Sequence, residues 1–522
     1  MFEASREATG VPNYDASSPW QLMDLNGDGW VDLDHVGVNQ VDFALAIAAG
    51  TFGAQNSITG TPTKLSTTQV EFADMNGSGT TDIVWIDVSG SADQAWRYLE
   101  LFPNGRAGLL KTIDNGLGKV TRISYEPAAL GAARARDENS PWTTRINVAM
   151  PVVSEVRVES ALGDPAIVTD YDYRNGTWDP NERTFAGFGR GIQTETGDTS
   201  TPTLITDSTF DSGVVTRVMR GQPLTIEQRD TNSLIFSRVT DAYITRQLET
   251  ATDGRVVHYA FKSSEQVEHI EGKDSSLART TLTEWEQDSY GNVTKESKWG
   301  EVVNGDKLGG NDESIIVRTY ANNSSDWLLG YLASEEVQDA NGTRLKLVRH
   351  YYDGEAFQGL ALGQVVRGDL TRSESLIAGD HFANEVASQH DSDGNVTANI
   401  NARGGRSEYE HDTESHTFIV TEHMFPNIDH SLEWHAQYNA RFGAITQFTT
   451  PNGAVTSVNY DALGRVTSIV SPGDSTERPT TQFDYRVGSP TSIITTRART
   501  QSGQDGTPAS IGVSRVNRKH PV

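Results

Sequence analysis

Two stretches of the chain carry oxygen donors at a spacing that can do chemistry. The first is Asp24-Leu25-Asn26-Gly27-Asp28-Gly29-Trp30-Val31-Asp32, and the second is Asp74-Met75-Asn76-Gly77-Ser78-Gly79-Thr80-Thr81-Asp82. Both read D-x-N-G-[DS]-G-x-x-D. Asp24, Asn26, Asp28 and Asp32, and likewise Asp74, Asn76, Ser78 and Asp82, stand at positions one, three, five and nine. Side-chain oxygens at that spacing can converge on one hard cation. A glycine at position six permits the sharp turn, and a backbone carbonyl at position seven completes an oxygen-only Ca²⁺ shell. Ser78 in place of a carboxylate gives the second loop less charge. The same letters also fit an Asn-Gly or Asp-Gly β-turn that needs no metal. An EF-hand is excluded: its twelfth position needs a bidentate glutamate, the first loop has His35 there, and no helix pair flanks it.

No other constellation supports catalysis. Gly187-Phe188-Gly189-Arg190-Gly191 is glycine-rich but lacks the G-x-G-x-x-G spacing and a βαβ context, so it reads as a tight packing turn. The sequence has no G-x-S-x-G elbow, Walker A loop or H-E-x-x-H pair. His411, His416, His423, His430 and His435 follow one another at spacings of 5, 7, 7 and 5, which match no standard metal site. Asp170 and Asp172 share a strand face, and the sequence names no facing partner for them. A glycoside hydrolase would need two carboxylates about 5–10 Å apart in a cleft. The reading is a non-enzymatic protein with no catalytic and no cofactor-binding residues.

Composition narrows the partners. Of 522 residues, 43 are Lys or Arg and 70 are Asp or Glu, for a net charge of −27. That balance argues against nucleic acid and against anionic membranes, because phosphate binding needs a basic patch. There is no cysteine, hence no disulfide and no thiolate metal site. The opening residues show no basic and apolar leader pattern, and the longest mildly apolar stretch, 43–49, is too short to span a bilayer. Export, if it occurs, uses a route not readable in this sequence.

The elements that must position the acidic loops are strands. Val/Ile/Tyr-rich runs of four to eight residues recur between turn signals, as at 121–125, 152–158, 167–173, 345–352 and 455–460, which is an all-β pattern. Residues 42–49 and 91–99 could each hold a short helix. Near the C-terminus, Asn459-Tyr460-Asp461-Ala462-Leu463-Gly464-Arg465-Val466-Thr467 ends one run with a tyrosine, turns through Asp-x-x-Gly and begins another. Asp can cap such a turn and Gly can take its positive φ. Weaker copies begin at Asp288, Asp391 and Tyr438, and Tyr438 to Tyr460 is 22 residues, a spacing that indicates stacked supersecondary units. Val466, Ser468 and Val470 alternate with Arg465, Thr467 and Ile469, so neither face is strongly apolar. A wall wetted on both sides reads this way, held by ladders and cross-strand pairs.

The acidic loops, the second of which runs into Ile83-Val84-Trp85-Ile86, resemble the calcium loops of FG-GAP repeats in integrin-type β-propellers. Three further phrases extend the likeness. They are Ile113-Asp114-Asn115-Gly116-Leu117-Gly118-Lys119-Val120-Thr121-Arg122-Ile123-Ser124-Tyr125; the run from Tyr171-Asp172-Tyr173 to Glu182-Arg183-Thr184-Phe185-Ala186-Gly187-Phe188-Gly189; and Tyr351-Tyr352-Asp353-Gly354 followed by Gly359-Leu360-Ala361-Leu362-Gly363. In this order, over roughly residues 20–500, the chain resembles the B component of bacterial insecticidal toxin complexes, with the virulence-plasmid B-like proteins and the wider Rhs/YD-repeat group.

The resemblance implies partial FG-GAP-like propeller blades followed by a spiral YD/Rhs-repeat β-shell. It implies an adaptor and shell-wall role in a secreted or cell-surface toxin assembly, made in the cytoplasm before export. Its partners would be an A-type pore component and a C-type component bearing cytotoxic cargo. The corresponding division is 1–110, FG-GAP-like loops; 111–200, toxin-B middle/N-terminal-type strands; 201–375, toxin-B middle/C-terminal-type strands; 376–500, YD/Rhs repeats; and 501–522, a polar tail without fixed structure. Two blade-like units cannot close a propeller, which typically needs at least four blades. The aspartic self-cleaving core of C components is not found, so a closed shell from this chain alone is not expected. A cell-surface adhesion or carbohydrate-contact protein built from the same repeats is the alternative.

Overall fold

Nearly every β-rich run becomes a strand that pairs antiparallel with the next strand in the chain. The computed structural model describes residues 7–13, 19–88, 96–103, 105–116, 118–160, 165–272, 278–309, 312–427, 430–486, 492–499 and 509–516. The chain divides into two compact units: residues 1–262 with 267–278, and residues 263–266 with 279–522.

The first unit opens with small sheets. Gln21–Met23, Asp32–Val36, Gln40–Ala44 and Asn56–Thr59 form a four-stranded sheet in that order, and Thr68–Ala73, Asp82–Asp87 and Trp96–Leu99 a three-stranded one. The sheets share a core. Val36 and Val41 of one meet Ile83 and Trp85 of the other, with Val70, Phe72, Leu99 and Leu101 packed around them. Residues 42–49, where a short helix was expected, instead lie in strands Gln40–Ala44 and Ala46–Ala48. The tertiary pairing Asp42↔Ser57 and Phe43↔Asn56 outweighs local helix preference there. The second expected helix is strand Trp96–Leu99 where described, and 91–95 lie outside the described residues.

A meander follows, from Thr112–Asp114 and Lys119–Pro127 through Pro151–Ser160, Ile167–Asp179, Thr184–Thr196, Leu204–Phe210 and Pro223–Arg229 to Ile235–Thr250. One α-helix, Ala128–Asp137, interrupts it. Its alanines favour helix intrinsically, and Arg134 pins it to the preceding strand through two hydrogen bonds to Glu126, of 2.7 and 2.5 Å. The glycine-rich run 187–191, expected as a turn, lies inside strand Thr184–Thr196. The ladder slips there, with Thr177 opposite Gly187 but Trp178 opposite Phe185, and Gly187 has φ 107°. A β-bulge needing a backbone that only glycine adopts easily explains the composition.

The second unit is a longer meander, from Arg279–Gln287 to Ser492–Arg499 and Ala509–Val516. Its largest apolar cluster is modest: Ala321, Ala333, Tyr352 and Val365, with Leu328 and Tyr331 against them. All five residues of Val466–Val470 are half-buried, as expected of a sheet without one dry face. Ionic pairs between neighbouring strands supplement packing. Arg318 Nε lies 2.9 Å from Glu335 and its Nη2 3.2 Å from Glu296. In the first unit, Arg238 links Glu227 at 2.7 Å to Glu268 at 3.1 Å. Such pairs contribute about 0.2–1 kcal/mol each. The tail is not wholly without structure, because Ala509–Val516 pairs along its length with Ser492–Arg499; 501–508 and 517–522 lie outside the described residues.

Candidate cation loops and the repeated turn

Each acidic loop is closed by its own carboxylates. In the first, Gly27 and Gly29 N–H donate to the two oxygens of Asp24, at 2.8 and 2.9 Å. Leu25 and Ala46 N–H donate to the two oxygens of Asp32, at 2.9 and 2.8 Å. Asn26 Oδ1 accepts from Asp28 N–H at 2.9 Å, while Asp28 accepts from Trp30 N–H at 2.7 Å and from Asn26 Nδ2 at 3.0 Å. Every side-chain oxygen of the four candidate ligands therefore has a donor.

The second loop repeats the plan with one vacancy in its bonding. Asp74 accepts from Gly77, Ser78 and Gly79 N–H at 2.7–3.0 Å. Asn76 Oδ1 accepts from Ser78 N–H at 2.9 Å, and Ser78 Oγ shares a 2.7 Å bond with Thr80. Asp82 Oδ2 accepts from Met75 N–H at 2.9 Å, but its Oδ1 is buried without a partner. Burial pushes the carboxyls of Asp32 and Asp82 upward, against the backbone N–H groups that stabilise their charge.

The loops touch. Thr81 N–H donates to Leu25 O at 3.0 Å and Thr81 Oγ1 to Asp24 O at 2.6 Å, and Arg106 Nε donates to Gly27 O. A Cβ at Gly27 would sit 2.2 Å from Gly79 O, so this approach requires glycine. Among the described residues, no three His, Asp or Glu side chains gather into a group able to hold a metal ion. The side-chain oxygens of the first loop are all occupied by donors within the protein; the second retains one buried carboxylate oxygen without a donor.

The remaining candidates separate. His423 lies between Glu410 at 3.9 Å and Glu433 at 3.5 Å, His435 contacts Glu433 at 2.6 Å, and His416 contacts Asp393 at 3.0 Å. Asp172 is ion-paired to Arg174 at 2.8 Å.

The repeated turn is chemically uniform. Leu463 and Arg465 N–H donate to Asp461 Oδ1, each at 2.9 Å, and Gly464 takes φ 77°. The carboxylates of Asp230, Asp288, Asp339 and Asp391 accept from the N–H groups two and four residues on in the same way. Tyrosine hydroxyls supply a second bond that the sequence reading missed. Tyr460 donates to Ile445 O at 2.7 Å, Tyr485 to Val466 O at 2.8 Å, Tyr352 to Leu332 O at 2.9 Å and Tyr320 to Val293 O at 2.8 Å. At Tyr460-Asp461 the two combine: Asp461 shapes its own turn and Tyr460 ties the strand to an earlier one. The signal was a tyrosine just before the turn at Asp461. Gly464→Ala should lower stability by about 1–2 kcal/mol, since the φ is positive and a Cβ would lie 2.8 Å from Phe442 Cδ1. Urea unfolding checks this, and an unchanged midpoint would show the turn adapts.

Two small antiparallel sheets followed in sequence by a meander with aspartate-capped turns and tyrosine ties make an all-β repeat protein. Residues 42–217 match the insecticide toxin TcdB middle/N-terminal region, and residues 438–476 match the RHS repeat. Over these two stretches the chain is similar to the B component of insecticidal toxin complexes. No curated protein sequence matches it.

Solved structures agree in fold. A TcdB2-TccC3-Cdc42 crystal structure superposes with TM-score 0.76 at 16% identity, covering 92% of this chain and 31% of that one. TcdB2-TccC3 gives 0.74 at 16%, covering 95% and 32%. The Photorhabdus luminescens Tc holotoxin pore gives 0.69 at 16%, covering 87% and 28%. The chain spans about a third of the length of these solved chains. No helix among the described residues is long and apolar enough to cross a membrane.

Proposed function

We propose that this chain is a non-enzymatic wall segment of a secreted toxin complex, helping to enclose and deliver a cytotoxic cargo. The observation that carries the reading is the sequential meander, which matches a TcdB2-TccC3-Cdc42 structure over 92% of the chain. A sheet half-exposed on both sides suits a wall better than a pocketed enzyme. The partners are a C-type component that carries the cargo and an A-type pore component, by analogy with solved structures that hold TcdB2 with TccC3 and with a Tc holotoxin pore. The two opening sheets act as propeller blades on the pore side, and the Asp-turn repeats act as wall. The test is co-expression with a C-type component of an insecticidal toxin complex. A stable complex in which that component's cargo resists protease is expected; a chain that binds neither partner would sink the role.

Calcium belongs to the same proposal, at the second loop. Asp82 Oδ1 is the one loop oxygen without a donor, and a cation held by Asp82 and Asp74 would neutralise it. Millimolar calcium should raise the melting temperature of the first unit by about 2–4 °C, and chelator should reverse this. Asp82→Asn should abolish the shift, whereas Asp28→Asn should leave it. An identical melt with and without calcium would remove the metal from the account.

A further inference from the structure

A groove of 940 Å³ opens in the first unit between the second acidic loop, helix Ala128–Asp137 and segment 141–150. Its floor is made of alanines on the helix, Ala129, Ala132 and Ala133 among them. The loop lies close because position 77 is glycine: a Cβ there would stand 2.8 Å from Ala129 Cβ. Segment 141–150 forms the wall and is held firmly. Thr143 N–H donates to Asn175 Oδ1 at 2.9 Å and Thr144 Oγ1 to Gly176 O at 2.9 Å. Ile146 occupies the space a side chain at Gly176 would need, since a Cβ there would lie 2.3 Å from Ile146 Cδ1. Trp142 meets Phe188 edge-on at 6.0 Å, and Phe188 packs on Tyr173 at 4.7 Å and Phe185 at 5.0 Å. The aromatic and glycine phrase at 182–189 therefore braces this wall.

Two features specify an occupant. Arg145, exposed on the wall, has no carboxylate partner among the described residues, and Arg136 has only a 3.6 Å contact with the equally exposed Asp137. Arg136 and Arg145 are two of the three charged side chains that line the groove, and the third, Asp74, is bonded to the N–H groups of its own loop. The apolar floor offers small side chains, leaving volume for larger ones from elsewhere.

We propose that this groove docks an extended acidic and apolar peptide segment of a partner protein. The partner's apolar side chains lie on the alanine floor, and its carboxylates meet Arg136 and Arg145. A carboxylate pairs with a guanidinium in two parallel bonds, which sets register as well as affinity. This site stands whether or not the chain is a shell wall, since it rests on the groove alone.

The test is fluorescence anisotropy on the full chain with a labelled acetyl-Glu-Leu-Asp-Phe-Glu-Leu-amide, its counterpart with lysine for each acid, and its counterpart with serine for each apolar residue. The acidic apolar peptide should bind saturably, the other two at least about tenfold more weakly. The double variant Arg136→Glu with Arg145→Glu should weaken binding about tenfold or more, and Ala133→Trp should abolish it by filling the floor, both without change in the far-UV spectrum. No saturable binding to about 1 mM, equal binding of the lysine peptide, or binding untouched by the arginine reversals would overturn the proposal. So would a concentration-dependent doubling of mass that Ala133→Trp removes, which would assign the groove to a second copy of the chain.

Discussion

Asp353→Ala should destabilise the second unit by about 3 kcal/mol and free the loop between strands Arg344–Tyr352 and Leu370–Ala378 for proteolysis. The carboxylate of Asp353 accepts from Val366 N–H at 2.6 Å and from Arg367, Gly368 and Asp369 N–H at 3.0 Å each. Its own N–H donates to Asp369 O at 2.7 Å. Four amides converging on one anion form a nest, and alanine would leave all four without their acceptor. Asp353→Asn keeps one oxygen and should cost less than half as much. Burial raises the Asp353 carboxyl, but the amides of Arg367, Val366, Asp369 and Gly368 outweigh it and hold it below the usual range. That stability is present above the unfolded value near 4 and is lost as pH falls through the lower folded value. Urea midpoints at pH 7 and pH 3 should therefore differ more for the natural chain than for Asp353→Ala. Equal pH dependence of the two would show that the nest does not carry charge.

The second large effect has the opposite sign. Asp34, on strand Asp32–Val36, is fully buried, and neither of its oxygens has a partner among the described residues. Burial pushes its carboxyl up to about 7; Lys64 pulls it down and Asp42 pushes it up. A raised carboxyl binds its proton more tightly in the folded state. The stability from that proton is fully present below the unfolded value near 4 and is lost as pH rises through about 7. The loss amounts to about 4 kcal/mol by pH 8. Asp34→Asn, measured with chelator so that the neighbouring loop carries no metal, should flatten this dependence and make the first unit more stable than the natural chain at pH 8. Thermal melts from pH 4 to 8 check it. A natural chain as stable at pH 8 as at pH 5 would show that Asp34 is not held neutral.

Much of this was legible because the repeat is local. The turn at Asp461 depends on residues four apart, so a single sequence shows both the carboxylate and Gly464, which takes its positive φ. The strand runs were equally plain, since β-branched and aromatic residues alternate between turn residues. The misses have physical reasons. Residues 42–49 look helical until Asn56–Thr59 pairs with Gln40–Phe43 and Thr51–Phe52 with Ala46–Ala48. Helix Ala128–Asp137 was overlooked because alanine carries helix preference without hydrophobic periodicity. Gly187 reads as a turn because the sequence cannot show that Thr177 lies opposite it. The bonds from Tyr460 to Ile445 and from Asp353 to residues 366–369 join separate elements, and only the fold reveals them. The acidic loops were found, but their spacing could not say that every side-chain oxygen of the first would already have a donor within the protein.

The order of the strands has one more consequence. Within each unit, the partner of a new strand in the meander is the strand made just before it, and the tyrosine ties reach back only to nearby hairpins. Such a chain can assemble in the direction it leaves the ribosome, each hairpin closing a short loop against an edge already formed. Its cooperativity is that of a row of dominoes, with intrinsic and nearest-neighbour energies setting where fraying stops. A hairpin could be gained or lost during evolution without disturbing the register of those beyond its immediate neighbours, so a protein of this design can be lengthened by addition alone.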